Sequence, residues 1–452
     1  MMSGDELTNL DREALIDLIL ALQVEVEALR LKLEKSQKPP TNSGNSSQPP
    51  SRDWKGNLPA QRKKRRHGPP LGHLKHDRKW VAQPDHVAEV KPRVCHVCQA
   101  DLGQAGARLK DVNQITELPS AKAEVIEVRQ YAVACPSCGQ EQIGEPPAGL
   151  EMERTFGARL EATVVYYRQE QHISYARTEA ALRNLHGVEI SPGGIDRIMQ
   201  RAARQGCEQV KPIEQELQQS AVIHSDETGS RVDGQNWWQW VFCSMTAVLH
   251  VIRFNRSADV IKDVMAGHEA EVWVSDCWPP QLKAPARQRQ LCLAHQLRNL
   301  EAVVERYPLA SWSRHMQVLF RYAIHLHHQR QQLRAQEFTQ RVKRTESLLD
   351  KLLHRALDQP EAQKLQRRYQ KYRHAVFLFL RRTDVSPTNN LSEQRLRPSV
   401  IHRKVTGGFR SGWGAQGYAA LKSIIDTAAL TGATPFDTIQ SLFGVPSLPL
   451  KE

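Results

Sequence analysis

Two aspartates stand where apolar stretches end: Asp226 after AVIHS and Asp276 after VWVS. In an α/β sheet, ligands bind outside the carboxyl ends of the strands. If these two strands are neighbours, both carboxylates enter one crevice, where they repel unless a cation lies between them. Hard divalent ions such as Mg²⁺ take oxygen ligands, often with phosphate oxygens completing the shell. A pair of such ions activates a water or a 3′-hydroxyl and stabilises the leaving oxygen of an in-line displacement. A third acid would finish the cage, and spacing alone leaves Glu227, Asp233, Asp384 and Glu393 open. A single Asp at a strand end is more commonly a turn former or a helix cap, so the signal is the pair.

The cysteines offer a second chemistry. Cys95-x-x-Cys98 and Cys135-x-x-Cys138 predict a zinc ribbon over 81–148, with four thiolates closing the shell of a structural Zn²⁺. The 36 residues between the knuckles predict a hairpin or two, with AKAEVIEVRQYAV as strand. His96 lies inside the first knuckle and is not needed as a ligand. Cys292-Leu-Ala-His295 repeats a ligand-like spacing but makes only half a site, so a helical-face role, or a contact of His295 and Arg298 with DNA or the active site, is preferred to a second zinc. Eight cysteines in 452 residues suit a reducing compartment rather than a disulfide framework.

Several elements must position these groups. Leu15, Ile19, Leu22, Val26, Leu29 and Leu33 follow an a/d seam, predicting a coiled-coil helix over 5–36 that makes a homo-oligomer. Residues 37–80 read as a linker, too polar and Pro-rich to fold. It carries a basic arm whose Arg62, Lys63, Lys64, Arg65 and Arg66 are five consecutive charges. Residues 149–218 read as helical, with SYARTEAALRNLHG and IDRIMQRAARQG around a short turn. That is a helix-turn-helix or an ordinary helical hairpin. From 219 the pattern is three strands, a helix and a strand, with Trp237, Trp238 and Trp240 as strand and core aromatics. Residues 286–382 read as almost wholly helical, and 411–452 as a helical tail.

The formal charge is +13. Residues 51–80 carry +8 and 281–452 carry +16, whereas 81–280 sum to −8. A polyanion is the expected partner. No run of about 18 apolar residues is present to span a membrane, and the acidic start reads as no secretory signal.

Taken together, several stretches resemble the IS66 family of insertion-sequence transposases, within the DDE group. They are the zipper followed by KPPTNSGNSSQPPS, the paired CxxC knuckles, HSDETGSRVDGQNWWQWVF, VSDCW, QLCLAHQLRNL and TNNLSEQRLRPSVIHRKVTGGFRS. The resemblance runs from about residue 10 to about 443. It implies a multidomain α/β plus α chain with an RNase-H-like catalytic domain over 219–410, interrupted by a helical insertion at about 286–382. It places the catalytic acids at Asp226, Asp276 and Glu393, holding Mg²⁺ or Mn²⁺. Many members have Glu-Arg where this chain has Glu393-Gln394, with Arg395 one place later. Arg395, Arg397, Arg403, Lys404 and Arg410 follow the third acid closely, as phosphate contacts would.

The expected partners are double-stranded DNA, both terminal repeats and target, a second copy of the chain, and small accessory proteins of the same element. The expected setting is the bacterial cytoplasm, at the nucleoid. Two rivals remain: a non-catalytic DNA-binding regulator derived from a transposase, and a two-metal nuclease on the same fold. A plainer alternative is a zinc-ribbon scaffold that binds RNA.

Overall fold

The computed structural model describes residues 79–443 apart from 105, 119, 120 and 148. The expected coiled coil and the basic arm with Arg62, Lys63, Lys64, Arg65 and Arg66 lie outside the described residues. The chain divides into two units, 55–124 and the remainder.

Among the described residues of the first unit, 79–124, regular structure is sparse. Val94 and Asp101 form an isolated antiparallel bridge around the first knuckle, and the Gln114 side chain bonds both backbone groups of Val81. In the larger unit, β1 (Ala132–Ala134) and β2 (Glu141–Ile143) pair around the second knuckle. Only the last two residues of the predicted strand AKAEVIEVRQYAV, Ala132 and Val133, are paired, together with Ala134. The stretch 121–131 has no hydrogen-bonded partner strand, and its β-branched residues are mostly exposed, so burial does not fix it.

Four helices follow: α1 (Ala158–Gln169), α2 (Tyr175–His186), α3 (Pro192–Gln209) and α4 (Lys211–Gln218). The turn between α2 and α3 has clear causes. Gly187 takes a left-handed C-cap at φ 67°. Ser191 then caps α3 by accepting from the Gly194 N–H, with Pro192 in the first turn.

The central sheet has the order β5-β4-β3-β6-β7. Its strands are β3 (Val222–Val232), β4 (Gln235–Cys243), β5 (Val248–Arg253), β6 (Ala270–Ser275) and β7 (Ala286–Leu291). The first three form an antiparallel meander, whereas β6 and β7 run parallel to β3. Alternation along β4 sorts the two faces. Trp240 and Phe242 pack with α4, α5 (Ala258–Met265) and Trp273. Val241 and Cys243 face α11 (Asn390–Thr406) through Leu396.

The strand β7 corrects the expectation that 286–382 is almost wholly helical. ARQRQL consists largely of good helix formers, but parallel pairing with β6 overrides that preference. The helices begin after it: α6 (Pro279–Leu282) precedes β7, and α7 (Leu293–Arg306), α8 (Ser311–His328), α9 (Ala335–Leu353) and α10 (Pro360–Lys371) follow. They share one core around Trp312, Phe320, Leu349, Tyr369 and Phe377. Where this excursion leaves and rejoins the sheet, the Leu293 N–H donates to the Pro387 carbonyl at 3.0 Å.

Residues 411–443 are not a separate tail. They form α12 (Gly412–Ala428) and α13 (Pro435–Leu442), which share the core of α1, α2 and α3. A Cβ on Gly417 would sit 2.4 Å from the Ala203 Cβ, so α12 and α3 touch through a position that tolerates only glycine.

Candidate active site

The parallel register pairs Val222 with Val272 and His224 with Val274. Continued two residues further, it brings Asp226 level with Asp276, just beyond the end of β6. The neighbouring strands anticipated from sequence therefore exist, and both acids leave the same edge. Glu393, the candidate third acid, lies in the first turn of α11.

The start of α11 is held by Asn389, which is fully buried. Its side-chain amide donates to the Ser225 carbonyl at 2.7 Å, its Oδ1 lies 3.3 Å from His224 Nδ1, and its backbone N–H donates to Cys292 Sγ at 3.1 Å. One residue thus ties the helix bearing Glu393 to the strand residue before Asp226. In the sequence this asparagine lies within TNNLSEQRLR, where its spacing assigns it no role. The paired asparagines before a helix were the available signal.

Burial pushes the Asp226 carboxyl well above its ordinary range, helped by the negative charges of Glu227, Asp276 and Glu393. Its one opposing contact is the Glu227 N–H, which donates to Oδ1 at 2.9 Å. The Trp278 N–H donates to Asp276 Oδ1 at 2.8 Å. No cation pairs with Asp226 or Asp276 among the described residues. Converging carboxylates with no internal counter-charge fit a bound divalent cation.

The four candidates for third acid differ in their partners, and Glu393 too has one, Arg298 at 3.3 Å. Glu227 is turned to Arg256, at 2.6 and 2.8 Å, and to Gln281 at 2.7 Å. Arg256 is stacked between Trp238 and Trp278. Gln281 also receives the Ser225 hydroxyl and, at 3.1 Å, the Trp273 indole N–H. Asp233 sits in the β3–β4 turn at φ 48°, and Asp384 is paired with Arg382. Sequence reading missed Arg256 and Gln281, since nothing in their spacing points to Glu227.

The insertion reaches the site through α7. Arg298 Nη2 lies 3.3 Å and His295 Nδ1 3.5 Å from Glu393 Oε1. Burial, then the Arg298 charge, lowers the His295 pKa, which favours the neutral imidazole. Along α11, Arg397 and Lys404 are exposed on one stripe with Ile401. Arg403 is half-buried beside Gly229. Arg395 instead turns inward to Asp426 at 3.5 Å, within an ion network that includes Lys422 and His250.

The two cysteine knuckles repeat one geometry. In each, the N–H of the first cysteine donates five residues on, to Ala100 or Gln140, and its carbonyl accepts from four residues on, Gln99 or Gly139. Both of the latter have positive φ, 59° and 71°. Backbone N–H groups of Cys98 and Val97 hold the Cys95 thiol below its ordinary pKa, and those of Ser137 and Cys138 do the same for Cys135. These are thiols prepared for thiolate ligation.

A family model described as "Transposase IS66 family" matches residues 153–417, more than half of the chain. The chain belongs to the IS66 transposase family. A second model, the zinc-finger binding domain of transposase IS66, matches residues 92–139 and takes in all four knuckle cysteines. No curated protein matches the chain. Membership supports a transposase role with DNA binding, and the zinc-finger match supports Zn²⁺ binding. Among the described residues no helix is long and apolar enough to cross a membrane.

Proposed function

We propose that this IS66-family chain is a DDE transposase whose Asp226, Asp276 and Glu393 cleave and join DNA strands at the ends of its element. The observation that carries the proposal is the shared edge of β3 and β6, where two acids stand level with Glu393 beside them. The strand order, a three-stranded antiparallel meander extended by two parallel strands, supports an RNase-H-like core over 219–410. On that reading the helical insertion spans α7 to α10 and begins after β7.

The acids would hold Mg²⁺ or Mn²⁺, which supplies activation of a water or 3′-hydroxyl and stabilisation of the leaving oxygen. The chain's own residues set the geometry. Asn389 holds the first turn of α11 against β3, so Glu393 cannot drift from Asp226. Arg298, 3.3 Å from Oε1, directs the Glu393 carboxylate. Glu227, clamped by Arg256 and Gln281, contributes negative potential without entering the site. The exposed Arg397 and Lys404, with Arg403 behind them and Arg410 beyond, would track phosphates leading to the acids.

DNA recognition is assigned to the terminal repeats, through the zinc ribbon at 81–148, the basic arm, and the capped α2–α3 pair as a helix-turn-helix. Self-association is assigned to the heptad helix at 5–36, and accessory proteins of the element would join the complex at the bacterial nucleoid. The test is nicking of a labelled duplex carrying the element's terminal repeat. Cleavage should need Mg²⁺ or Mn²⁺, and Asp226→Asn, Asp276→Asn and Glu393→Gln should each reduce it by about 10³-fold or more while leaving DNA binding intact. Binding without metal-dependent cleavage in the unaltered protein would leave a regulator instead.

A further inference from the structure

Cys292, His295 and Glu393 bring a thiol, an imidazole and a carboxylate together, with one donor atom of each within 4.8 Å of the others. From sequence, Cys292 and His295 were half a site. The fold supplies the other half from a residue almost a hundred positions away.

Three further features mark a built site. Cys292 is fully buried and stands at the N-terminus of the 14-residue helix α7. Its sulfur accepts the Asn389 backbone N–H at 3.1 Å. His295 Nδ1 is buried and has no hydrogen-bond partner, although it lies 3.5 Å from Glu393 Oε1. In the tautomer with the proton on Nε2, the Nδ1 lone pair faces this oxygen, which Arg298 also contacts at 3.3 Å. A cation held by both Nδ1 and the oxygen removes their repulsion.

We propose that Cys292, His295 and Glu393 bind a zinc ion, separate from the ribbon zinc and from the divalent ions assigned to Asp226 and Asp276. Thiolate and imidazole donors select zinc over Mg²⁺, which prefers oxygen alone. A tetrahedral zinc with bonds of roughly 2.0–2.3 Å holds its donors about 3.5 Å apart. The three side chains need to close by about 1 Å, within reach of side-chain rotation. Binding expels the Cys292 thiol proton to solvent. Three protein donors leave a fourth position for water or a phosphate oxygen. The ion would tie the first helix of the insertion to α11 through one oxygen of Glu393 and leave the other for the neighbouring acids. The site does not depend on whether Asp226 and Asp276 perform strand chemistry.

Zinc content of the purified full-length protein tests this, measured by mass spectrometry after dialysis against a weak chelator. The unaltered protein should hold one more zinc per chain than His295→Gln or Cys292→Ser, while Asp226→Asn should keep the full count. Substitution with Co²⁺ gives a second reading: the thiolate-to-cobalt absorption should weaken in Cys292→Ser and the visible bands should shift in His295→Gln. Equal zinc content in the unaltered protein and in folded His295→Gln, with unchanged cobalt spectra, would overturn the proposal. If Cys292→Ser does not fold, His295→Gln alone decides it.

Discussion

Asp226 is held in a place where its own charge is disfavoured. Its carboxyl lies above the ordinary range because of burial and three neighbouring acids, so its ionised form weakens the metal-free fold as pH rises above the usual carboxylate value. Asp226→Asn should therefore melt at a higher temperature than the unaltered protein at pH 7 without divalent metal. Added Mg²⁺ or Mn²⁺ should narrow that gap by stabilising only the unaltered protein. A metal-free Asp226→Asn that melts lower would show that the carboxylates are not in conflict. Asn389 makes the opposite case, a residue whose bonds all favour the fold. Asn389→Ala strands the buried Ser225 carbonyl and should cost about 2 kcal/mol by urea unfolding. It should also lower the cleavage rate with little change in DNA affinity, because Glu393 loses its anchor. Asp226 and Asp276 stand out by residue type and strand-end position, whereas spacing leaves the third acid open among four residues and only the family resemblance points to Glu393. Asn389 and Arg256 do not stand out, since their importance lies in partners far along the chain.

At the scale of elements, the capped α2–α3 turn and the strands bearing Asp226 and Asp276 follow directly from local signals. Sequence reading failed where tertiary pairing beats local preference. ARQRQL carries no β signature but is the outer strand β7, and 411–443 looks like a tail but packs as α12 and α13. The join between α11 and α12 shows how tight this packing is. Gly408 has φ 118°, and a Cβ there would lie 2.6 Å from the Arg231 carbonyl oxygen, which accepts from the Phe409 N–H. The adjacent Gly407 also has positive φ, 75°, but open space around it. Gly408→Ala should cost about 3 kcal/mol from strain and clash together. Gly407→Ala should cost only about 1 kcal/mol from backbone conformation. Thermal melts of the two variants compare them directly, and equal losses would contradict the close approach to β3.

Across the whole molecule, several histidines are buried in their neutral form. Burial pushes His224 down to about 4 and His402 to about 3. Burial also lowers His250, although the Asp426 hydrogen bond and charge oppose the shift. Unfolded histidine takes up a proton near pH 6.5. Stability should thus hold at neutral pH and fall as pH drops from about 6.5 toward 4, each of the three adding up to ~1.4 kcal/mol per pH unit. Asp226 runs the other way, one group against three, so a flat urea-denaturation profile over that range would contradict the burial. The uneven charge visible in the sequence also acquires a location. The stretch carrying Asp226 and Asp276 is net negative, as a cation site requires, whereas positive charge collects beyond residue 281 and beside the third acid. The central claim is that these acids form one centre that joins strands as well as cutting them. Its most direct test is strand transfer of a pre-cut, labelled terminal-repeat end into a supercoiled plasmid with Mg²⁺ or Mn²⁺. The unaltered protein should give covalently joined products, and Glu393→Gln should bind the end but give none. Joined products from Glu393→Gln at the unaltered rate, or cutting without joining by the unaltered protein, would contradict it.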